Sequence, residues 1–111
     1  MAGLFEIKQA KDGDFHFHLK AGNGQIILTS QMYKEKSSAE NGIESVKANA
    51  AIDAQYECKE AHNGEHMFNL KAANHQVIGT SQLYKSVESR DHGIASVKEN
   101  APSAAVHLLP D

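Results

Sequence analysis

The chain has a single cysteine, Cys58, among its 111 residues. One cysteine excludes an internal disulfide and any zinc site built from several thiolates. Long apolar runs are also missing, because no window approaches the ~20 apolar residues of a membrane helix. The first residues show no basic segment followed by an apolar one, as a secretory signal would. We therefore expect a cytoplasmic protein without a membrane-bound part.

Positive charge is scarce, since 11 Lys and Arg face 14 Asp and Glu and leave a net charge of −3. A broad basic field supplies most non-specific affinity for nucleic acid, so nucleic acid is not an expected partner. The glycine-containing segment 21–25 lacks the endings and spacing of phosphate or dinucleotide loops, and no cofactor is predicted. No nucleophile stands with a base and an orienting group, which predicts a protein that is not an enzyme.

The chain does contain an internal repeat. Residues 23–50 return as residues 74–101, and aligning Phe5 with Tyr56 gives an offset of 51 (56 − 5) with about half the positions identical. Solenoids and propellers need at least ~3 units to bury a continuous core. Two units instead predict a single domain over residues 1–111, made of repeats at about 4–54 and 55–109 and related by an internal two-fold.

The clearest strand signal is the alternation of apolar and polar residues in segments 15–20 and 66–71. Successive side chains of a strand point to opposite sides, so Phe17, Leu19, Phe68 and Leu70 are predicted to face a core. The polar sides form the predicted open face of the sheet. Its candidate binding residues are His16, His18, Lys20, Asn69 and Lys71.

The later part of each repeat changes to a period of about 3.6, which predicts a helix near 39–50 and another near 94–101. Ser86 is the predicted N-cap of the second helix. The first helix has two candidate starts, a capping box of Ser37 with Glu40 and an alternative at Glu35. Gly42 and Gly93 inside these helices cost roughly 0.5 to 1 kcal/mol each, which predicts a close approach of helix to sheet.

The connections carry two further predictions. His75 stands where Gly24 stands in the first repeat, and because His tolerates positive φ less well, the second turn is expected to differ in detail. Residues 104–109 are predicted to form a last strand. The equivalent segment of the first repeat overlaps residues 54–60, where the second repeat begins. This overlap predicts one long strand that belongs to both units.

The two motifs TSQxYK and GIxSVKxNA, each present twice and preceded by an alternating strand such as FHFHLK, resemble the YegP-like family of small uncharacterised bacterial proteins. The resemblance implies tandem units in one continuous sheet with their last strands exchanged, and it implies no established activity. It agrees with the patterns above on an α+β fold. The predicted fold is tandem β-β-β-α-β repeats in a mainly antiparallel sheet, with two helices on one face and pseudo-two-fold symmetry.

Two functional hypotheses remain open at this stage. The first is a non-enzymatic binding module that presents the open face to an unknown protein or small-molecule partner. The second is a metal or small-ligand site on repeat one, because His16 and His18 place two imidazoles on one side of a strand. The second repeat has Met67 and Asn69 at those positions. Internal two-fold symmetry favours a monomer, with a homodimer as the alternative.

Overall fold

A computed structural model describes residues 3–109 and contains one seven-stranded sheet with two α-helices, so the predicted α+β class is confirmed. The strands are β1 (Leu4–Gln9), β2 (Phe15–Lys20), β3 (Ile26–Thr29), β4 (Tyr56–Glu60), β5 (His66–Lys71), β6 (Val77–Thr80) and β7 (Ala105–Leu108). The helices are α1 (Lys36–Asn49) and α2 (Val87–Asn100), and short 3-10 turns follow them at Asp53–Gln55 and Ala101–Ser103. The strand order is β4-β5-β6-β3-β2-β1-β7.

The two repeats meet at the centre of the sheet, where β3 and β6 run antiparallel with Thr29 opposite Thr80. These threonines occupy equivalent positions, so the internal two-fold axis passes beside them. Each helix contacts strands of both repeats: α1 lies on β2, β5 and β6, and α2 lies on β5 and β3. One continuous core therefore joins the repeats. Its buried residues include Phe5, Phe17, Leu28, Ile43, Phe68, Leu70 and Val97.

An aromatic stack fills the core of each repeat. Phe17 is fully buried, with the Phe5 ring edge-on at 5.9 Å and the Tyr33 ring stacked at 6.2 Å between centroids. A Cβ on Gly42 of α1 would come within 2.5 Å of the Tyr33 hydroxyl oxygen. The absence of a side chain at Gly42 is what lets the tyrosine ring fit beneath the helix, which confirms the predicted close approach.

The second repeat reproduces this stack with its own residues. Phe68 is fully buried between an edge-on Tyr56 ring at 5.7 Å and a stacked Tyr84 ring at 6.4 Å. A Cβ on Gly93 would collide with the Tyr84 hydroxyl. The same pairing of a helical glycine with a tyrosine thus holds both helices close to the sheet.

The two-fold symmetry is broken at the strands that carry the axis. Leu28 and Gly79 are equivalent positions, yet one has a large side chain and the other has none. A Cβ on Gly79 would lie 2.6 Å from the Cγ and a Cδ of Leu28, so the leucine occupies the space that the glycine leaves. One leucine fills the core on both sides of the axis, because there is no room for two.

Three local predictions have different outcomes. Ser86 caps α2 by accepting a bond from the Ser89 N–H at 3.0 Å, as predicted. Helix α1 begins after Glu35, whose side chain makes no capping bond, so the Ser37–Glu40 capping box is wrong and the alternative start is confirmed. His75 adopts φ of +70° and closes the same turn as Gly24, so the expected difference between these turns is wrong.

The predicted long strand shared by both units is also wrong. After α1 the chain turns through Asp53–Gln55 and enters the five-residue strand β4, which pairs with β5. The strand exchange runs in one direction: β7 of the second repeat lies parallel to β1 of the first, with Phe5 opposite Val106 and Ile7 opposite Leu108. The linker between the repeats is too short to provide an equivalent strand, because its residues are used by the turn and by β4.

Candidate functional site

The five predicted open-face residues lie on the side of the sheet away from the helices. On β2, His16, His18 and Lys20 alternate with the buried Phe17 and Leu19. On β5, Asn69 and Lys71 occupy the equivalent side. The open face places four of these residues in two clusters, one on each repeat, and His16 lies apart from both.

The first cluster is organised around Glu6 of β1, which lies opposite His18. The Glu6 Oε1 atom lies 2.7 Å from His18 Nε2 and 3.0 Å from Lys20 Nζ, and only 12% of the Glu6 side chain is exposed. These hydrogen bonds hold the pKa of Glu6 below its ordinary value of 4.5. His18 and Lys20 are therefore partners of a carboxylate and not free surface groups.

The second cluster uses Glu57, the equivalent of Glu6. Its carboxylate accepts a bond from Lys71 Nζ at 3.0 Å and one from the Asn69 amide at 3.4 Å, and these bonds lower the pKa of Glu57. The Thr80 hydroxyl donates to Asn69 at 2.8 Å and links the cluster to β6. Glu57 is more exposed than Glu6, with 38% of its side chain accessible.

His16 stands apart from both clusters. Its Nδ1 atom is buried and has no hydrogen-bond partner, and its ring centroid lies 6.4 Å from that of His18. Burial is the main cause of a lowered pKa, and the neighbouring charges of His18 and Lys8 act in the same direction. Residues 3–109 contain no group of three or more His, Cys, Asp or Glu side chains placed to hold a metal ion.

The lowered pKa of His16 predicts a dependence of stability on pH. Because the folded pKa lies below the ordinary 6.5, unfolding takes up a proton, and stability falls as the pH drops from above 6.5 through the folded pKa. The equivalent residue is Met67, so His16→Met should flatten the curve of unfolding free energy between about pH 7.5 and 5. Urea denaturation at several pH values measures this slope.

The matched control is His62→Asn, which changes an exposed turn histidine and should leave the slope unchanged. Glu6 does not contribute to the slope in this pH range, because the stabilisation from its lowered pKa is lost only as the pH falls below 4.5. A His16→Met variant that kept the parent slope would show that His16 does not couple protonation to folding.

The open face also holds a central groove, which sequence reasoning missed. It is a cavity of about 390 Å³ over the two-fold axis between β3 and β6. The groove is lined by Ile26, Thr29, Ser30 and Gln31 and by their equivalents Val77, Thr80, Ser81 and Gln82. Its signal in the sequence was the identical TSQ triplet of both repeats, whose convergence depends on β3 lying beside β6.

The serines of this groove are engaged with the backbone. The Ser30 hydroxyl accepts from the Phe17 N–H at 2.9 Å and donates to the Gln31 carbonyl at 2.7 Å. Ser81 makes the same two bonds with the Phe68 N–H and the Gln82 carbonyl. Both hydroxyls thus satisfy backbone groups at the ends of the strands. The Thr29 hydroxyl and the two glutamines remain at the surface of the groove.

The helices of residues 3–109 include none that is both long and apolar enough to cross a membrane. The chain matches the family DUF1508, which is described as a domain of unknown function. The match covers residues 10–57 and again residues 61–107. The chain is 63% identical to a UPF0339 protein of Acinetobacter baylyi over 98% of each chain. It is 56% identical to the UPF0339 protein YegP of Escherichia coli over 96% of each chain.

Two solution NMR structures have the same fold. A UPF0339 protein of Shewanella oneidensis superposes with a TM-score of 0.93 at 51% identity, covering 98% of this chain and 92% of that one. The Escherichia coli protein yegP superposes with a TM-score of 0.92 at 55% identity, covering 97% and 93%. These similarities agree with the resemblance identified from the TSQxYK and GIxSVKxNA motifs.

Proposed function

Because this chain belongs to the DUF1508 family, a domain of unknown function, we propose its role from the geometry of the open face. The protein is a non-enzymatic binding module, and the central groove receives part of a protein or small-molecule partner. The observation that carries this proposal is the convergence of both TSQ segments on one cavity at the two-fold axis. A concave site built equally by both repeats offers a preformed surface for a ligand.

The chemistry of the groove indicates the class of partner. None of the lining residues that the structure describes is charged, and Ile26 and Val77 provide apolar surface beside the Thr29 hydroxyl and the amides of Gln31 and Gln82. Hydroxyl and amide groups both donate and accept hydrogen bonds, as a peptide backbone requires. On the open face, Lys20 and Lys71 are already paired with Glu6 and Glu57. These features favour an uncharged, amide-containing ligand such as a short peptide segment.

The hydrogen bonds of the groove favour binding over catalysis. A serine nucleophile needs a base within hydrogen-bond reach of its hydroxyl, with a third group to orient that base. The hydroxyls of Ser30 and Ser81 instead donate to the main-chain carbonyls of Gln31 and Gln82. We therefore propose that the groove holds its partner without transforming it.

The test uses N-acetyl dipeptide amides with uncharged side chains as probes, in an amide-resolved NMR titration of the full chain. We expect shift changes centred on β3, β6 and the adjoining Gln31 and Gln82. Thr29 is exposed at the floor of the groove, so Thr29→Arg should fill it without disturbing the core and should abolish the changes.

The matched control is Ser37→Arg, which adds the same charge at an exposed position of α1. This variant should bind the probes as the parent does. Affinity capture from cell extract adds an independent readout, in which Thr29→Arg should lose partners that Ser37→Arg retains. Probe shifts that lie outside the groove, or captured partners that survive Thr29→Arg, would contradict the proposal.

An alternative function is metal binding by His16 and His18. The observation in its favour is the buried His16 Nδ1 atom without a hydrogen-bond partner. Against it, His18 is held by Glu6 at 2.7 Å, and a metal would compete with that contact. Elemental analysis of purified protein, with zinc titration of the parent and of His16→Met, separates the two functions, because only the metal site depends on His16.

A further inference from the structure

The strand β4 leaves one edge of the sheet uncovered. Within residues 3–109 it pairs with β5 on one side and with no strand on the other, whereas its equivalent β1 is covered by β7. The side chains reflect this difference. Phe5, Ile7 and Ile43 are at most 1% exposed, while their equivalents Tyr56 and Ile94 are partly exposed and Cys58 is exposed.

The backbone of this edge is oriented for pairing. On the covered edge, the Ile7 carbonyl accepts a hydrogen bond from the Leu109 N–H at 2.8 Å. Cys58 is the equivalent of Ile7, and its N–H and carbonyl therefore point away from β5 at the free edge. Alternation along the strand gives Tyr56 and Glu60 the same orientation. An exposed row of this kind is a template for another strand.

We propose that a second copy of this chain pairs with this edge, β4 against β4, in an antiparallel register centred on Cys58. In this register Cys58 faces Cys58 of the second copy, and the outward backbone groups of Tyr56 meet those of Glu60 of the second copy. A residue whose N–H and carbonyl both point outward forms the hydrogen-bonded type of antiparallel pair. The two sheets then join into one across a two-fold axis.

Charge complementarity selects this register and this partner. Centring on Cys58 places Glu57 opposite Lys59 of the second copy, and symmetry repeats the pair. Centring on Glu57 would place two carboxylates opposite each other, and centring on Lys59 would oppose two ammonium groups, both of which are unfavourable. Lys59 Nζ lies 3.6 Å from Glu57 Oε1 within one chain, and the two side chains are 55% and 38% exposed. Both therefore keep surface that the opposite charge of the second copy can contact.

The pairing would also cover apolar groups on the helix side of the sheet. Tyr56 and Cys58 point to that side, as Phe5 and Ile7 do in the first repeat, and Ile94 of α2 is partly exposed. On the covered edge, the corresponding surface is closed by Val106, which lines a small cavity with Ile43 and Glu44 of α1. This interface lies at the end of the sheet and is separate from the central groove.

The experiment is a charge exchange followed by light scattering from about 10 µM to about 1 mM protein. The parent mass should rise with concentration from the 12.1 kDa of one chain toward twice that value. Glu57→Lys and Lys59→Glu should each weaken association by about tenfold or more, because symmetry turns two attractive pairs into repulsive ones. The double exchange should restore association to about the parent level.

Crosslinking locates the contact. Cys58 is the only cysteine, so a short bis-maleimide should join two chains of the parent and fail on Glu57→Lys. The control carries Cys58→Ser with Asn23→Cys, which moves the thiol to an exposed turn between β2 and β3 and should not crosslink.

Three results would overturn the proposal. The first is a measured mass of one chain at every concentration. The second is association that neither Glu57→Lys nor Lys59→Glu weakens. The third is a monomer that binds a labelled peptide of residues 104–109 at β4, which would assign the edge to a parallel strand and not to β4 of a second copy. Circular dichroism of each variant confirms that a lost dimer reflects the interface and not an unfolded chain.

Discussion

Exchanging the residues at positions 28 and 79, by making Leu28→Gly and Gly79→Leu in one chain, should restore most of the stability that either substitution removes alone. Removing a buried leucine side chain costs ~2–5 kcal/mol, and glycine in a strand adds ~0.5–1 kcal/mol relative to alanine. Inserting a leucine where Leu28 already fills the space costs ~1–3 kcal/mol. The exchange moves one leucine across the two-fold axis and leaves the core filled.

Urea denaturation of the four chains measures the coupling. If the substitutions acted independently, their costs would add, to roughly 3.5–9 kcal/mol, whereas we expect the exchanged chain to lose under about 2 kcal/mol. A control cycle pairs Gly79→Leu with Ile7→Val of β1, which lies away from the axis, and should be additive within about 0.5 kcal/mol. An exchanged chain as unstable as the sum would mean that the two positions do not share one space.

Phe17→Ala and Phe68→Ala should each remove about 3–5 kcal/mol of unfolding free energy, because each deletes a fully buried ring at the centre of an aromatic stack. Their equal packing predicts similar losses. Each helix contacts strands of both repeats, so either variant should unfold in one cooperative transition. Denaturation followed by circular dichroism and by tyrosine fluorescence should give coincident curves.

Met32→Ala is the control for these variants. Met32 is 47% exposed, so its truncation should change stability by no more than about 0.5 kcal/mol. Two separated transitions in Phe68→Ala, with the first repeat unfolding later, would contradict a core shared by both repeats.

Features governed by local periodicity could be predicted from the sequence. The alternation in β2 placed Phe17 and Leu19 inside and His18 outside, because a strand sends successive side chains to opposite faces. The 3.6-residue period placed both helices, and the internal glycines indicated their close contact with the sheet. The repeat itself predicted a pseudo-symmetric sheet, because two similar units can pair through the same strand of each.

The groove and the free edge could not be predicted, because they depend on which strands become neighbours. The TSQ triplets are 51 residues apart, and only the pairing of β3 with β6 brings them together. The difference between Leu28 and Gly79 was visible as a substitution, but its meaning depends on the axis between them. Likewise, no strand among residues 3–109 covers the outer edge of β4, because the chain turns at Asp53–Gln55, whose residues carry no strong signal against an extended strand.

The parallel pairing of β7 with β1 has a consequence for the order in which the chain matures during translation. Protein chains emerge from the ribosome from the N-terminus, and contacts between distant residues form late. Residues 4–7 leave first, yet the strand that covers their outer edge is made after every other described strand. The first repeat can therefore collapse early but complete its sheet only after the second repeat has been synthesised. Until then, the first repeat displays two unpaired strand edges, namely the outer edge of β1 and the edge of β3 that later pairs with β6.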